Sequence, residues 1–285
     1  MEKARQAPDH YRMRFDELGW AVPTFDYVSL KEKNTRYALV IPVINEGERI
    51  RTQLEAIKER GFDTLIDVII ADGGSTDNSL EIDFLRHCGV RTLITKTGPG
   101  KLSAQLRCGY SVALCDGYHG IVTMDGNGKD SVAHIPKFVD ALMGDVDYAQ
   151  ASRFIRGGRG ENTPFLRHIA VRFIHSPVLS LAAGRWFTDT TQGFRAYSSR
   201  YLNDDRVAPF RNIFMAYELL AYLTVRATQL GYKTVEIPTV RRYPAKGATP
   251  TKITSWRAYQ DLLKVLFSTL ARRYHPSPAN QENST

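Results

Sequence analysis

Two oxygen-bearing side chains, one residue apart, follow an apolar run in the middle of the chain. Ile121 to Asp130 reads Ile-Val-Thr-Met-Asp-Gly-Asn-Gly-Lys-Asp, so the run stops at Asp125 and gives way to glycines and charge. Asp125 and Asn127 suit a hard cation or the hydroxyls of a sugar, and the glycines let the backbone turn sharply. The alternative is an ordinary surface turn, which has the same composition.

Charged residues follow other apolar runs in the same way. Asp67–Ala71 continues into Asp72-Gly-Gly-Ser-Thr-Asp77, and Thr97-Gly-Pro-Gly-Lys101 opens a later helix. The ligand crevice of an open α/β sheet lies beyond the carboxyl ends of its strands. We therefore expect four side chains to meet at one edge of the sheet: Asp72, Asp77, Lys101 and Asp125. The glycine spacings of a P-loop and of a dinucleotide-binding turn are absent, which weighs against ATP hydrolysis and nicotinamide chemistry.

The elements that must position these residues alternate between strand and helix from residue 37 to about 147. Four apolar runs predict buried strands, at Tyr37–Ile44, Asp67–Ala71, about Val90–Ile94 and into Asp125. Predicted helices lie between them at about 45–60, 78–87 and 102–114, the first capped by Asn45, and Ile135–Met143 follows the last strand. This alternation predicts an α/β fold, a mainly parallel sheet covered by helices on both faces.

The second half of the chain is less regular. A strand near Tyr148–Ser152 precedes an arginine-rich and glycine-rich loop and an apolar helical segment at 165–183. A helix from about Met215 to Gly231 and a strand at Thr234–Thr239 follow.

A basic amphipathic helix is predicted at about Thr254–Arg272. Its apolar side carries Trp256, Tyr259, Leu262, Leu263, Leu266, Phe267 and Leu270, and its polar side carries Arg257, Lys264, Ser268 and Arg272. Such a helix suits a membrane interface and equally suits packing as a terminal core helix. The expected division is an N-terminal extension at 1–36, a catalytic domain at 37–245, this helical region at 246–273 and a disordered tail at 274–285.

The net charge of +8 is distributed unevenly along the 285 residues. Lys233–Arg273 contains nine basic residues against two acidic ones, and Arg153–Arg172 contains five arginines against one glutamate. This asymmetry indicates an anionic partner, such as a phosphorylated substrate, a membrane surface or nucleic acid, unless it is a merely solvated basic face. Three cysteines without metal-ligand spacing, no transmembrane-length apolar run and no signal-peptide pattern predict a cytoplasmic protein, and the basic amphipathic helix is compatible with a peripheral position at a membrane.

Taken together, the motifs resemble those of family 2 glycosyltransferases with the GT-A fold, and within them the dolichyl- or polyprenyl-phosphate sugar transferases. The resemblance covers about residues 37–270. Seven pieces carry it, in the family's order: Pro42-Val-Ile-Asn-Glu46, Asp72-Gly-Gly-Ser-Thr-Asp77, Met124-Asp-Gly-Asn127, Ser152-Arg-Phe154, Asp189-Thr-Thr-Gln-Gly-Phe-Arg195, Glu236-Ile-Pro238 and Thr251-Lys252.

The resemblance implies a nucleotide site and a metal site. Asp72 and Asp77 would bind the base and ribose, and Pro42 and Glu46 would line the same pocket. Asp125 and Asn127 stand where the family has Asp-x-Asp, whose carboxylates bind Mg²⁺ or Mn²⁺ against the diphosphate. Mg²⁺ or Mn²⁺ held by Asp125 and Asn127 is therefore the cofactor that the resemblance implies. Asn127 removes one negative charge, so the metal site should be weaker. A further hypothesis is that Lys129 supplies part of the positive charge and leaves metal dependence weak or absent, with Asp130 a candidate replacement ligand.

The expected reaction is an inverting transfer of a hexose, mannosyl or glucosyl, from a nucleoside-diphosphate sugar. A lipid-phosphate acceptor needs no general base, only guanidinium groups, for which the candidates are Arg153, Arg156, Arg159, Arg167, Arg172 and Arg195. Asp189 would then order the acceptor loop. A hydroxyl acceptor would need Asp189 or Glu218 as a base.

Two departures weigh on the lipid-phosphate interpretation. Ala170 stands where relatives carry a small hydroxyl residue, and no transmembrane hairpin follows residue 272. Competing classes are a sugar-nucleotide pyrophosphorylase, whose glycine-rich signature is missing, and a nucleic-acid-binding protein, for which no binding module is present. The sugar, the nucleotide and the acceptor remain open.

Overall fold

The structure, a computed structural model, describes residues 5–245 and 256–277. The strands in these ranges are β1 (Arg5–Gln6), β2 (Phe25–Ser29), β3 (Tyr37–Val43), β4 (Asp67–Asp72), β5 (Val90–Lys96), β6 (Gly120–Thr123), β7 (Tyr148–Ser152), β8 (Arg159–Glu161), β9 (Arg195–Ser198), β10 (Thr234–Pro238) and β11 (Val240–Arg242). The α-helices are α1 (Asp9–Glu17), α2 (Glu48–Glu59), α3 (Ile82–His87), α4 (Leu102–Cys115), α5 (Ile135–Met143), α6 (Phe165–Ala170), α7 (Ser176–Ala183), α8 (Ser199–Leu202), α9 (Glu218–Gln229) and α10 (Trp256–Leu270).

Nine of these strands form one mixed sheet in the order β1-β2-β5-β4-β3-β6-β9-β7-β10. Its centre is parallel, because β3 pairs in parallel with both β4 and β6, and β4 with β5. β9 lies antiparallel between β6 and β7, and β2 lies antiparallel beside β5. The predicted α/β fold with a mainly parallel central sheet is confirmed.

Alternation along β3 explains why the sheet is covered on both faces. Ala38 and Val40 face a core that includes side chains of α4, α7 and α9, whereas Leu39, Ile41 and Val43 face a core built with α2 and α5. Successive side chains of a strand point to opposite faces, so a continuous apolar run requires two apolar cores.

Most predicted boundaries agree with the structure to within a few residues. The helix Ile135–Met143 and the strand Tyr148–Ser152 have the expected bounds. The helix expected from Asn78 begins only at Ile82. Asn45 does not cap α2: it has a φ of 48°, and its Oδ1 accepts a hydrogen bond from Thr76 N at 2.7 Å. The Asn45 side chain therefore joins two loops instead of starting a helix.

The N-terminal segment contributes to the same sheet and core. Phe25 to Ser29 pairs with β5, and Tyr11 and Phe15 are buried. At the other end, Tyr274, within the predicted tail, lies 6.0 Å from Phe214 between ring centroids. The remainder of that tail, at 278–285, and the Thr251-Lys252 motif lie outside the described residues.

The buried stripe of the last helix, α10, is narrower than the apolar side that the sequence predicts. Val265 and Leu266 are buried, and so is Ser268, which was expected on the polar side. Leu263 and Phe267, which the sequence places on the apolar side of the helix, are exposed. Among the described residues, no helix combines the length and the apolar character needed to cross a membrane.

Candidate active site

Asp72 and Asp125 lie at the same edge of the sheet, on either side of β3. Asp72 ends β4 and is paired in register with Val43, the last residue of β3. Asp125 lies two positions after Thr123, the last residue of β6, on the other side of β3, and Gly126 N donates to Pro42 O at 3.3 Å. The expectation that these carboxylates share one edge therefore holds.

The loops after β3 and β4 are tied together by side-chain hydrogen bonds. Asp72 accepts hydrogen bonds from Ser75 N at 2.9 Å and Ser75 Oγ at 2.7 Å. Asp77 accepts from Gly47 N at 2.8 Å and from Ser79 Oγ at 2.7 Å. Burial alone would raise the pKa of Asp77, but these bonds hold that pKa below its ordinary value, so the carboxylate is ionised.

The other predicted nucleotide residues surround this corner. Pro42 is a buried residue of β3, and Glu46 is largely buried and holds Arg49 with bonds of 3.0 and 2.8 Å. Lys101 is exposed at the start of α4, one turn before Gln105, whose Nε2 donates to Val43 O at 2.8 Å. The structure thus brings Pro42, Glu46 and Lys101 to the carboxyl edge that bears Asp72.

A buried arginine lies between the two acids of the Asp125–Asp130 segment. Arg241 Nη2 donates to Asp125 Oδ2 at 3.3 Å, and Arg241 Nη1 donates to Asp130 Oδ2. Arg241 and Asp130 are 3% and 4% exposed, whereas the Asp125 side chain retains 22% exposure. Asp125 is therefore the more accessible of the two carboxylates.

The donor set around Asp125 does not fit a divalent cation. Asn127 Nδ2 donates to Asp125 Oδ2 at 3.3 Å, and Asn127 Oδ1 accepts from Lys129 N at 3.2 Å. The amide oxygen is thus directed at the backbone, and the Arg241 guanidinium already donates to both carboxylates. Lys129 is buried close by, and burial followed by the charge of Arg241 lowers the pKa of its ammonium to about 8.

The Asp189–Arg195 motif packs directly against Asp125. A Cβ atom added to Gly193 would lie 2.1 Å from Asp125 Oδ1, so only glycine allows this approach. Asp189 is fully buried and forms an ion pair with Arg153, whose Nε donates to Asp189 Oδ2 at 2.7 Å. Burial opposes ionisation, but the charge and bonds of Arg153 hold the pKa of Asp189 below its usual range. Asp189 is a fixed carboxylate and a poor general base.

Two predicted catalytic residues have structural positions that differ from expectation. Arg195 was expected to contact the acceptor phosphate, but it is 2% exposed and donates to Gln192 O at 2.8 Å and Thr190 O at 2.9 Å. Because its N–H groups donate to these carbonyl oxygens, Arg195 stabilises the backbone of the Asp189–Arg195 motif and is not free to bind a phosphate. Glu218 begins α9 and accepts from Ala216 N at 2.7 Å, so its carboxylate fixes its own loop beside the start of α4.

The family follows from comparison with known sequences. Residues 38–206, more than half of the chain, match the profile of Glycosyl transferase family 2. The chain belongs to glycosyltransferase family 2. One sequence relative is the polyprenol monophosphomannose synthase of Mycolicibacterium smegmatis, which is 25% identical over 71% of this chain and 76% of the relative. Another is the dolichol-phosphate mannosyltransferase of Pyrococcus furiosus, which is 24% identical over 76% of this chain and 59% of the relative.

The fold of this family 2 glycosyltransferase also matches solved structures. Glucosyl-3-phosphoglycerate synthase from Mycobacterium tuberculosis, in complex with Mn²⁺, UDP and phosphoglyceric acid, superposes with a TM-score of 0.58 at 17% identity, covering 82% of this chain and 78% of that one. At this identity the likeness establishes the GT-A-type fold. With the family established, the pyrophosphorylase and nucleic-acid alternatives have no further support.

Two residues of the candidate site, Arg241 and Tyr243, have no counterpart in the sequence prediction. Tyr243 is buried, and Arg153 Nη1 donates to its hydroxyl at 3.2 Å. Lys129, Arg167 and Arg241 lie 5.5, 5.8 and 5.8 Å from its ring centre. Although burial opposes it, Arg241, Arg153 and Arg167 lower the pKa of Tyr243 to about 8. The only available signal was the Arg-Arg-Tyr run itself, since nothing in its spacing indicates a site.

The remaining predicted arginines lie on the outer side of this cluster. Arg172 stacks 5.1 Å from the ring of Phe154, and both Arg156 and Arg172 are exposed. Arg159 is exposed and pairs with Glu161 on β8. Arg167 lies on α6 and Arg172 in the π-helical turn Val171–His175, the segment that also carries the exposed side chains of Phe165, Leu166 and Phe173.

Proposed function

We propose that this family 2 glycosyltransferase moves a sugar from a nucleoside-diphosphate sugar to the phosphate of a polyprenyl or dolichyl lipid, with inversion at the anomeric carbon. One observation carries the lipid acceptor: an exposed apolar strip beside the arginines of the site. The strip, named here the apolar strip, consists of Phe165, Leu166, Phe173, Ile174, Leu181 and Trp186, which are 75%, 80%, 72%, 44%, 72% and 63% exposed.

Such a surface is costly in water unless something apolar covers it. Large exposed apolar patches mark sites that contact protein, membrane or ligand. The residues of the apolar strip belong to α6, to the π-helical turn Val171–His175, to α7 and, for Trp186, to the loop after α7, and Arg167 and Arg172 belong to the first two of these segments. Apolar side chains next to exposed guanidinium groups suit a lipid whose chain is apolar and whose head group is a phosphate.

The ionic arrangement of the site supports a phosphate acceptor over a hydroxyl acceptor. A phosphate oxygen is already an anion, so attack on the anomeric carbon needs no base. Asp189, the first candidate base, is held ionised and buried by Arg153. Four basic residues, Lys129, Arg153, Arg167 and Arg241, surround Tyr243 instead, and their positive charge favours an anionic acceptor. Arg167 is the least buried of the four, so it is the one best placed to contact the acceptor phosphate directly.

The proposed transfer is a single displacement. An oxygen of the lipid phosphate forms a bond to the anomeric carbon as the bond from that carbon to the β-phosphate oxygen breaks, and the nucleoside diphosphate leaves with the bonding electrons. Asp72, Asp77 and Lys101 would bind the nucleotide at the carboxyl edge of β4. The cationic cluster would stabilise the charge that develops on the leaving diphosphate. The names of the two sequence relatives also support a polyprenyl-type acceptor.

A transfer assay tests this function. Radiolabelled UDP-glucose and GDP-mannose are incubated with the protein and three acceptors: polyprenyl phosphate in phosphatidylcholine vesicles, polyprenol in the same vesicles, and 3-phosphoglycerate in solution. We expect label to enter the vesicles only with polyprenyl phosphate. Transfer to polyprenol or to 3-phosphoglycerate alone would overturn the proposed acceptor.

Variants of the apolar strip separate lipid contact from catalysis. Phe165→Ser with Leu166→Ser should lower vesicle-dependent transfer about tenfold or more, because two large apolar contacts with lipid are lost. Transfer to a short, water-soluble prenyl phosphate should be retained. The matched control is Met13→Ser, since Met13 on α1 is 59% exposed and far from the strip in sequence. Equal effects of both variants on the vesicle assay would contradict the role of the strip.

A further inference from the structure

Arg241 is held in place from both sides by backbone hydrogen bonds. β11 pairs with β8, Ser131 N donates to Val240 O at 3.2 Å, and Arg242 N donates to Lys129 O at 2.7 Å. The segment that carries Arg241 is thereby fastened to the Asp125–Asp130 segment. Its guanidinium bridges Asp125 and Asp130, and its Nε approaches the Tyr243 hydroxyl at 3.4 Å. The position of this charge is fixed by the fold.

A divalent cation bound to Asp125 would have to share that carboxylate with a guanidinium. Like charges in a buried site repel strongly, because water is not there to screen them. The second acid, Asp130, is fully enclosed and points at Arg241, so it offers no coordination toward the crevice. The Arg241 guanidinium thus supplies, beside Asp125, the positive charge that a bound metal ion would otherwise supply.

We propose that Arg241 is the resident cation of this site and that the enzyme binds its nucleoside diphosphate without a divalent metal. This inference rests on the proposed function for the identity of the ligand. Because Arg241 is only 3% exposed, it acts by positioning Asp125 and by its charge on the diphosphate side, not by direct contact. It is therefore a positioning residue.

The inference predicts that removing the guanidinium creates a metal site. In Arg241→Gln, Asp125 and Asp130 lose their shared counter-charge, and two carboxylates of this kind attract a hard cation. Mn²⁺ titration followed by electron paramagnetic resonance, without nucleotide, should show saturable binding to Arg241→Gln about tenfold or more tighter than to the wild type. Saturable Mn²⁺ binding of equal affinity in both proteins would overturn the inference.

Nucleotide affinity provides a second, independent test of the role of Arg241. UDP and GDP binding to the wild type, measured by calorimetry, should be the same in EDTA and in Mn²⁺. Binding to Arg241→Gln should weaken about tenfold or more in EDTA and recover with Mn²⁺. A wild type that loses nucleotide binding in EDTA and regains it with Mn²⁺ would contradict the proposal. If no protein binds UDP or GDP under either condition, the proposed function fails, and the Mn²⁺ titration alone still decides the role of Arg241.

Two variants control for folding and for simple loss of charge. Arg242→Gln removes an arginine at the next position, which is exposed and pairs with Glu161 at 2.6 Å, and it should leave metal and nucleotide binding unchanged. Arg241→Lys retains the charge and should remain insensitive to metal even if Arg241→Gln unfolds. Metal-dependent nucleotide binding in Arg241→Lys would contradict a charge-based role.

Discussion

The residues that decide the chemistry come from three distant parts of the chain. Asp125 could be identified from the sequence because it ends an apolar run, and its neighbours on the sheet edge end runs of the same kind. Arg241 could not, because its meeting with Asp125 depends on how β11 returns to the site. Arg195 was misplaced for a related reason: position along the chain does not reveal that a guanidinium is buried among carbonyls.

Gly193 sets the distance between the acceptor motif and Asp125. In Gly193→Ala the added methyl would overlap Asp125 Oδ1, so the carboxylate must move. We expect turnover to fall about 100-fold, the scale of a displacement of roughly 1 Å in an active site, with a stability loss of about 1–3 kcal/mol. Initial rates of sugar transfer and urea unfolding provide the two measurements.

Gly144→Ala is the control for this substitution. Gly144 follows α5, and a Cβ added there would meet only ordinary contacts, the nearest at 3.4 Å. Its rate should match that of the wild type. A Gly193→Ala enzyme with full activity would show that Asp125 tolerates displacement and is not held by this contact.

At the scale of elements, the long apolar strands were predictable and the short polar strands were not. β3 and β4 are wholly buried apolar runs, whose length and composition mark them clearly. β8 and β11 are three residues each and polar, so no periodicity can develop in them. α10 shows a further limit: the sequence predicts an apolar side but not which part of that side its neighbours cover.

Two leucine-to-alanine substitutions test which side of α10 is buried. Leu266 is 3% exposed and Leu263 is 42% exposed. Leu266→Ala should destabilise the protein by about 2–4 kcal/mol in urea unfolding, because it leaves a cavity, whereas Leu263→Ala should cost less than about 1 kcal/mol. Equal losses for the two variants would mean that α10 packs with the wider apolar side that the sequence suggests.

His175, in the helical segment between α6 and α7, should make the free energy of unfolding depend on pH. His175 ends a π-helical turn at Val171–His175, and its Nδ1 lies 2.7 Å from Thr190 Oγ1. Burial, followed by the charge of Arg195, lowers the pKa of His175 to about 4. The unfolded chain, with a pKa near 6.5, therefore binds the proton more readily between these values. The contribution of the neutral His175 side chain to the free energy of unfolding is fully present above about pH 6.5 and is lost as the pH falls toward 4.

Urea unfolding at pH 7 and pH 4.5 measures this effect. The wild type should lose on the order of 2 kcal/mol more than His175→Gln over this range, a value reduced to allow for the partial exposure of the residue. His87→Gln, on the exposed side of α3, should behave as the wild type does. A His175→Gln variant with the same pH dependence as the wild type would assign the acid sensitivity to other groups.

At the scale of the whole molecule, charge and apolar surface are arranged around one edge of the sheet. Asp72 and Asp125 share that edge, Arg241 pairs with Asp125, and Arg167, from the helix that carries Phe165 and Leu166, lies beside Tyr243. The uneven charge of the sequence predicted an anionic partner, and the proposed nucleotide-sugar donor and phosphate acceptor would both be anions. The acceptor side was harder to anticipate, since the strip becomes visible only when the helices are packed.

The most direct test of this account is calorimetric titration of UDP, GDP and CDP into the wild type, Asp72→Asn and Asp83→Asn. The wild type should bind at least one of them with a Kd in the range of about 1 μM to 1 mM. Asp72→Asn, at the end of β4, should weaken that binding about tenfold or more, and Asp83→Asn, which is fully exposed on α3, should leave it unchanged. Nucleotide binding that is indifferent to Asp72, or absent altogether, would contradict a nucleotide-sugar site at this edge.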